Sequence, residues 1–426
     1  MKRRTLGALA AAAGVGALGA CAKKADSGSG DTGVVDMTMT TWSSDPTLLK
    51  TWNGAADEFR KTHPRLGKFT IQQMPFDQYD AQLTIQLSGS KPPDLGFIQA
   101  QDTTAWHDAG VLYDIRSMKD DPDAAWSDVL PASYQYTTDD SGALWSFPTV
   151  SAAHVMYYNK TAFDKAKVDS PDELFAKDAW TWENLRRVSK ELVESGVVKY
   201  GYDIQQFTTG LPGYIDRGFG AHYWPNGDTC GLTDPKSVAA IQFIHDMRFV
   251  DNSMAHPGST ANFPTGDTGI TVGSTSFMGQ LSDSSFDWSI MPQPKGDVPY
   301  NPGLAQAFFS VFANGQDPKL ATELLMAIVS ADTMNKLDGL LIGPRKAQLA
   351  EIPAVINKAH PNVTVADAKR AAVDPQSSAT ADPPLVNSVQ VNTVIKPIIE
   401  GLWTADADIA KVLAAASAAA TPLLKA

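Results

Sequence analysis

Cysteine is almost missing from this chain, with two residues in 426, at positions 21 and 230. A disulfide framework is therefore excluded, and stability has to come from buried apolar surface. Catalytic patterns are missing too. No G-x-x-x-x-G-K-[ST] phosphate loop, G-x-S-x-G nucleophile elbow or H-E-x-x-H zinc helix occurs. The seven His residues, at 63, 107, 154, 222, 245, 256 and 360, are never three or four apart, so no helix carries a local metal pair and neither metal nor cofactor is expected. The adjacent carboxylates Asp120-Asp121 and Asp139-Asp140 sit beside turn formers and would point apart, which suits solvated loops better than a glycosidase pair. An excess of positive charge is also lacking: 35 Lys and Arg stand against 47 Asp and Glu, a formal −12. Such a surface argues against nucleic acid as a partner.

Long apolar runs are confined to the first residues. Lys2, Arg3 and Arg4 precede an Ala-rich run from Leu6 to Ala20, the layout of an export signal over residues 1–20. That run is shorter than the roughly 20 apolar residues of a membrane span. It ends in Leu18-Gly19-Ala20-Cys21, which resembles the lipobox of bacterial lipoproteins. The resemblance implies acylation of Cys21 and cleavage just before it, and a lipidated Cys21 could not pair with Cys230. Arg3-Arg4 fits a twin-arginine signal and a general secretory signal alike. Residues 21–35 hold no aromatic side chain and are rich in Ser, Gly and Asp, so a flexible tether is expected. The remaining chain exceeds what one hydrophobic core serves, which predicts two domains.

Short apolar runs then alternate with amphipathic stretches, the mark of an α/β fold. A strand at 36–42 is followed by Leu48, Trp52, Ala55 and Phe59 at helical spacing up to His63-Pro64. Phe69 to Met74 reads as a second strand, Tyr79, Leu83 and Leu87 mark a second helix, and 94–99 is a third strand. Right-handed crossovers make parallel pairing the default. A second series follows residue 150, with helices at 182–195 and 235–250, strands near 200–204, 269–275, 288–292 and 306–312, and one helix over 318–337. Residues 346–425 read as mostly helical, ending in a packed Ala-rich helix.

Four segments resemble the extracellular solute-binding proteins of carbohydrate ABC importers, the group of maltose-binding protein. They are Tyr79 to Leu95 running on to Ala109-Gly110 and Ile115; Gly142 to Pro148 with Met156-Tyr-Tyr-Asn-Lys160 and Trp180-Thr-Trp-Glu183; Phe263-Pro-Thr-Gly266 with Gly269 to Ser274 and Trp288 to Gly296; and Gly339 to Arg345. Their order and spacing agree over nearly all of 36–426. The resemblance implies two α/β lobes, each a mostly parallel sheet flanked by helices, joined by hinge crossings. Lobe one would be 36–148 with 299–345, and lobe two 149–298 with 346–426. It further implies capture of a sugar or oligosaccharide between the lobes and delivery to the importer's permease subunits, by a monomer anchored at the outer face of the cell membrane and with no reaction of its own. An exported carbohydrate-active enzyme and a same-fold binder of a polyamine or other non-sugar solute are the rival readings.

Ligands of open α/β sheets bind beyond the carboxyl ends of strands, and a sugar needs paired donors and acceptors together with an aromatic face. Lobe one offers Trp42, Ser43 and Asp45 after its first strand, Asp77 after the second, and Gln99, Gln101 and Asp102 after the third. These positions match ligand-facing loops of the resembled family, although Ser43, Asp45, Asp77 and Asp102 could equally cap helices. Lobe two offers Trp224 and Asn226 in a polar, aromatic loop and Ser274, Ser276 and Phe277 after a strand. Arg345, the last residue of the expected lobe one, has forked donors that could clamp hydroxyls or equally form a surface ion pair. A Trp beside turn residues makes a fair stacking platform, which favours Trp224. In the family a Trp often follows the Gly-Ser turn, where Phe277 stands here.

Overall fold

A computed structural model describes residues 33–204, 210–213, 215–296, 303–337 and 341–425. The expected signal, Cys21 and the tether through residue 32 lie outside them, and Val35, the last residue of the expected tether, already begins the first strand. Among the described residues, nine strands form two sheets. Strands β1 (Val35–Thr41), β2 (Leu66–Gln73), β3 (Leu95–Gln99), β4 (Phe147–Ala153) and β9 (Leu304–Val311) make a five-stranded sheet in the order β2-β1-β3-β9-β4. Strands β5 (Val155–Asn159), β6 (Tyr200–Ile204), β7 (Thr268–Gly273) and β8 (Trp288–Met291) make the second, in the order β6-β7-β5-β8.

Both sheets are mixed, where mostly parallel pairing was expected. Pairs β1–β2, β1–β3 and β6–β7 are parallel, while β3–β9, β9–β4, β7–β5 and β5–β8 are antiparallel. The antiparallel partners are the strands that cross between the lobes, and a returning chain enters its sheet from the opposite end. The first crossing falls at His154, between β4 and β5, and not at 148: β4 stays in the first sheet through Ala153, paired with Leu304.

Local chemistry places the helices. Asp45 accepts hydrogen bonds from the Thr47 and Leu48 amides and Pro46 stands at the first turn of the helix Pro46–Thr62, where its missing N–H costs nothing. Thr181 and Asp234 cap the helices Trp182–Glu194 and Pro235–Phe249 in the same way. The helix expected over 318–337 breaks at Ser330, whose extended ψ of 153° ends one helix while its hydroxyl caps Ala331–Asn335.

Trp52, Tyr79, Phe309 and Phe312 are fully buried in the core of the first lobe. The second sheet is covered on both faces. Met156 and Tyr158 of β5 face a cluster with the helices Trp182–Glu194, Pro235–Phe249 and the Ala-rich Ile409–Leu424. Val155 and Tyr157 face another with the helix Lys346–Ala359. No helix among the described residues is long and apolar enough to cross a membrane.

Candidate ligand-binding cleft

The strand directions determine where a solute can sit. In the first sheet, Gln99 pairs with Ala307 and Ala153 with Leu304, so the carboxyl ends of β1 to β4 share one edge with the start of β9. In the second, Val155 pairs with Gly273 and Met156 with Met291, so the carboxyl ends of β6, β7 and β8 share an edge with the start of β5. His154 alone joins β4 to β5, and the two edges therefore adjoin at the crossing.

A cavity of ≈ 160 Å³ opens there. Its lining includes His154 and Leu304 from the crossings, Asp216, Arg217 and Trp224 from the long connection after β6, and Asp382 from the C-terminal segment. Arg217 is 5% exposed and donates from Nη1 to Thr380 Oγ1 at 2.7 Å and from Nη2 to Asp382 Oδ1. Burial pushes the Asp216 carboxyl up to about 7, with the charge of Asp382 adding and Arg217 opposing. Burial pulls His154 down to about 3, helped by the Arg217 charge, so its ring is neutral at physiological pH. Backbone fit holds this wall in place: a Cβ at Gly296 would lie 1.8 Å from the Gly218 carbonyl oxygen, so the strand-to-crossing chain can pass beside the Arg217 turn only as glycine.

The family described as bacterial extracellular solute-binding protein matches residues 44–335. The chain belongs to this family. As a member of an extracellular family, the solute-binding protein is exported. It is 24% identical to the diacetylchitobiose binding protein DasA of Streptomyces coelicolor over 78% of this chain and 79% of that one. It is 28% identical to the sn-glycerol-3-phosphate-binding periplasmic protein UgpB of Rhizobium meliloti, where the match covers 45% of this chain and spans about half of the relative, 46%. Among solved structures, the ABC substrate-binding protein Lmo0181 from Listeria monocytogenes in complex with cycloalternan superimposes with a TM-score of 0.76 at 17% identity, covering 92% of this chain and 99% of that one. UgpB from Mycobacterium tuberculosis in complex with glycerophosphocholine gives a TM-score of 0.74 at 17% identity, with 92% and 99% covered. At such identities these likenesses establish the two-lobed fold.

On the first lobe of this solute-binding protein, Trp42 is half-buried, stacked on Phe97 at 4.7 Å and edge-on to Tyr79 at 5.0 Å. Gln99 Nε2 donates to Asp80 Oδ2 at 2.8 Å. Asp102 is 7% exposed and makes no capping bond, and burial, reinforced by the charge of Asp80, raises its carboxyl to about 7. One oxygen of each acid, Asp102 Oδ2 and Asp80 Oδ1, is buried without a hydrogen-bond partner among the described residues. Asp45 is the cap of its helix, and Ser43 Oγ accepts from the Asp45 amide at 3.2 Å, so both support the Trp42 turn. Asp77 lies in the turn Phe76–Gln78, but its side chain and that of Gln101 lie outside the described residues.

On the second lobe, Trp224 is among the residues that line the cavity. Asn226 is exposed at the tip of the same loop, beside Gly227 with φ +76°. Ser274 ends the β7 turn with its hydroxyl 2.9 Å from that of Ser276. Two expected ligand residues are corrected. Phe277 is 5% exposed, because the turn Thr275–Leu281 folds its ring into the core, edge-on to Tyr157 at 5.2 Å. Arg345 is 3% exposed and donates from Nη2 to the Ala124 and Val329 carbonyls, both at 2.8 Å, over the Phe147 ring. It ties lobe-one segments together, and its burial pulls its pKa down to about 10. The residues missed from the sequence are Asp80, His154, Asp216, Arg217 and Asp382. Only the polar run Asp216-Arg217 ahead of His222-Tyr223-Trp224 hinted at them.

Proposed function

We propose that the protein captures an uncharged sugar or short oligosaccharide between its lobes and delivers it to an ABC importer, catalysing no reaction. The carrying observation is the state of the one guanidinium in the cavity lining: Arg217 is already engaged by Asp382 and Thr380. Segments 205–209, 297–302 and 338–340 contain no Lys or Arg. A phosphate head would have to displace Asp382 from Arg217, and would bring its charge toward the carboxylates of Asp80 and Asp102. A sugar meets the opposite reception. Its hydroxyls bring no charge toward the carboxylates of Asp80 and Asp102, and its C–H face suits the Trp224 ring. The resemblance to DasA and to the cycloalternan-bound protein supports this reading.

The UgpB relatives favour a glycerophosphate-type solute as the second reading. A thermal-shift panel separates the two. We expect neutral oligosaccharides, diacetylchitobiose and maltodextrins among them, to raise the melting temperature, with a ligand at 100 times its Kd adding about 2.7 kcal/mol. A shift from sn-glycerol 3-phosphate or glycerophosphocholine alone would replace the sugar reading. The account also includes a monomer tethered through an acylated Cys21, so Cys21→Ser should move the protein from the membrane to the soluble fraction.

A further inference from the structure

A second and larger cavity, ≈ 340 Å³, lies in lobe two and shares no lining residue with the cleft cavity. Its walls are mostly apolar: Phe175 from the helix Pro171–Ala176, Trp180 from the loop that follows, Pro292 beyond β8, and Pro375 from the turn Asp374–Ser377. That turn packs against β4, the strand leading into the first crossing. The size falls within the range of about 300–1,000 Å³ typical of small-molecule sites.

Two features of the wall point to an occupant. Phe175 is 41% exposed although it is a large apolar side chain, and the Arg370 guanidinium lies 4.7 Å from its ring. Arg370 Nη2 donates to Asp172 at 2.6 Å and Asp367 at 2.7 Å, whereas its Nε–H is buried with no acceptor among the described residues. The Trp180 indole N–H is already given to the Pro292 carbonyl at 2.8 Å, and Lys295 is paired with Asp178 at 2.5 Å, so these two donors are committed.

We propose that this cavity is a second ligand site, independent of the cleft, for a small planar apolar molecule carrying one hydrogen-bond acceptor. The ring lies between Phe175, Trp180 and the two prolines, and the acceptor takes the Arg370 Nε–H. Coumarin, a neutral bicycle with one carbonyl, is the probe. Ligand-observed NMR on the whole protein should give a Kd below about 1 mM. Ser378→Trp, which fills the cavity, and Phe175→Ala, at an exposed position that leaves folding intact, should each weaken coumarin more than tenfold. Trp224→Ala should leave it unchanged. Absence of binding at 1 mM would overturn the proposal. So would equal affinity in Phe175→Ala and the wild type, or loss of coumarin in Trp224→Ala, which would place it in the cleft.

Discussion

The two faces of the cleft carry opposite electrostatic constructions. Beyond β3 on lobe one, Asp102 and Asp80 each keep a buried oxygen without a donor among the described residues, and the Asp102 carboxyl is raised to about 7. Lobe two has a cation that its own chain has neutralised, Arg217 against Asp382, and a neutral His154 lines the same cavity. The two lobe-one acids each lack a donor at one oxygen, and the lobe-two guanidinium is already paired. A solute that supplies hydroxyl donors and an apolar face, and brings no charge, fits between them.

Removing the neutralised cation should have the largest effect. Arg217→Met deletes hydrogen bonds to Asp382 and Thr380 and takes away the charge that holds Asp216 down. Hydrogen bonds to charged groups contribute about 1.5–3 kcal/mol each, so denaturant unfolding should show a loss of that order. A variant as stable as the wild type would mean that Arg217 is poised for a ligand and not a strut.

Trp224→Ala strips the apolar platform from the lobe-two face. Calorimetry with the best sugar of the panel should show binding weakened at least tenfold, about 1.4 kcal/mol. Unchanged affinity with a large fall in melting temperature would make the ring structural and pass the stacking role to Trp42.

Asp102→Asn is the smallest change and sharpens the lobe-one side. The native carboxyl titrates at about 7, whereas in the unfolded chain it titrates at about 3.9. Between those values the native state holds a proton that the unfolded state releases, so raising the pH through the window destabilises the wild type. Asn carries no proton to lose. The melting temperature of the variant relative to the wild type should therefore rise from pH 5 to pH 8. The raised carboxyls of Asp203 and Asp216 are present in both proteins and cancel. A gap that stays constant with pH would show that Asp102 ionises as an exposed acid.

Much of the scaffold was legible because its signals are local. Asp45-Pro46 ahead of an apolar-periodic run reads as a helix start, and the structure puts the Asp45 carboxylate on two amides. Alternating runs gave seven of the nine described strands within a few residues, and missed β4 and β5 on either side of the first crossing. The pairing sense was not legible, because β9 and β5 owe their antiparallel entry to crossings between lobes. The cleft was legible only where a single loop carried it, as with Trp224. His154, Arg217 and Asp382 come from three distant segments, and no spacing rule joins them. Phe277 and Arg345 were misread for a related reason: residue type suggested a ligand, while the turn at 275–281 and the carbonyls of Ala124 and Val329 claimed them for the interior.

If both faces grip one solute at once, small-angle X-ray scattering registers it most directly. With a sugar identified by the panel at saturation, the radius of gyration should fall as the lobes close over it, since a ligand that touches both faces favours the closed state. A radius that does not change at saturation would contradict the account, leaving the sugar on one lobe and the opposite charge patterns of the two faces without a shared purpose.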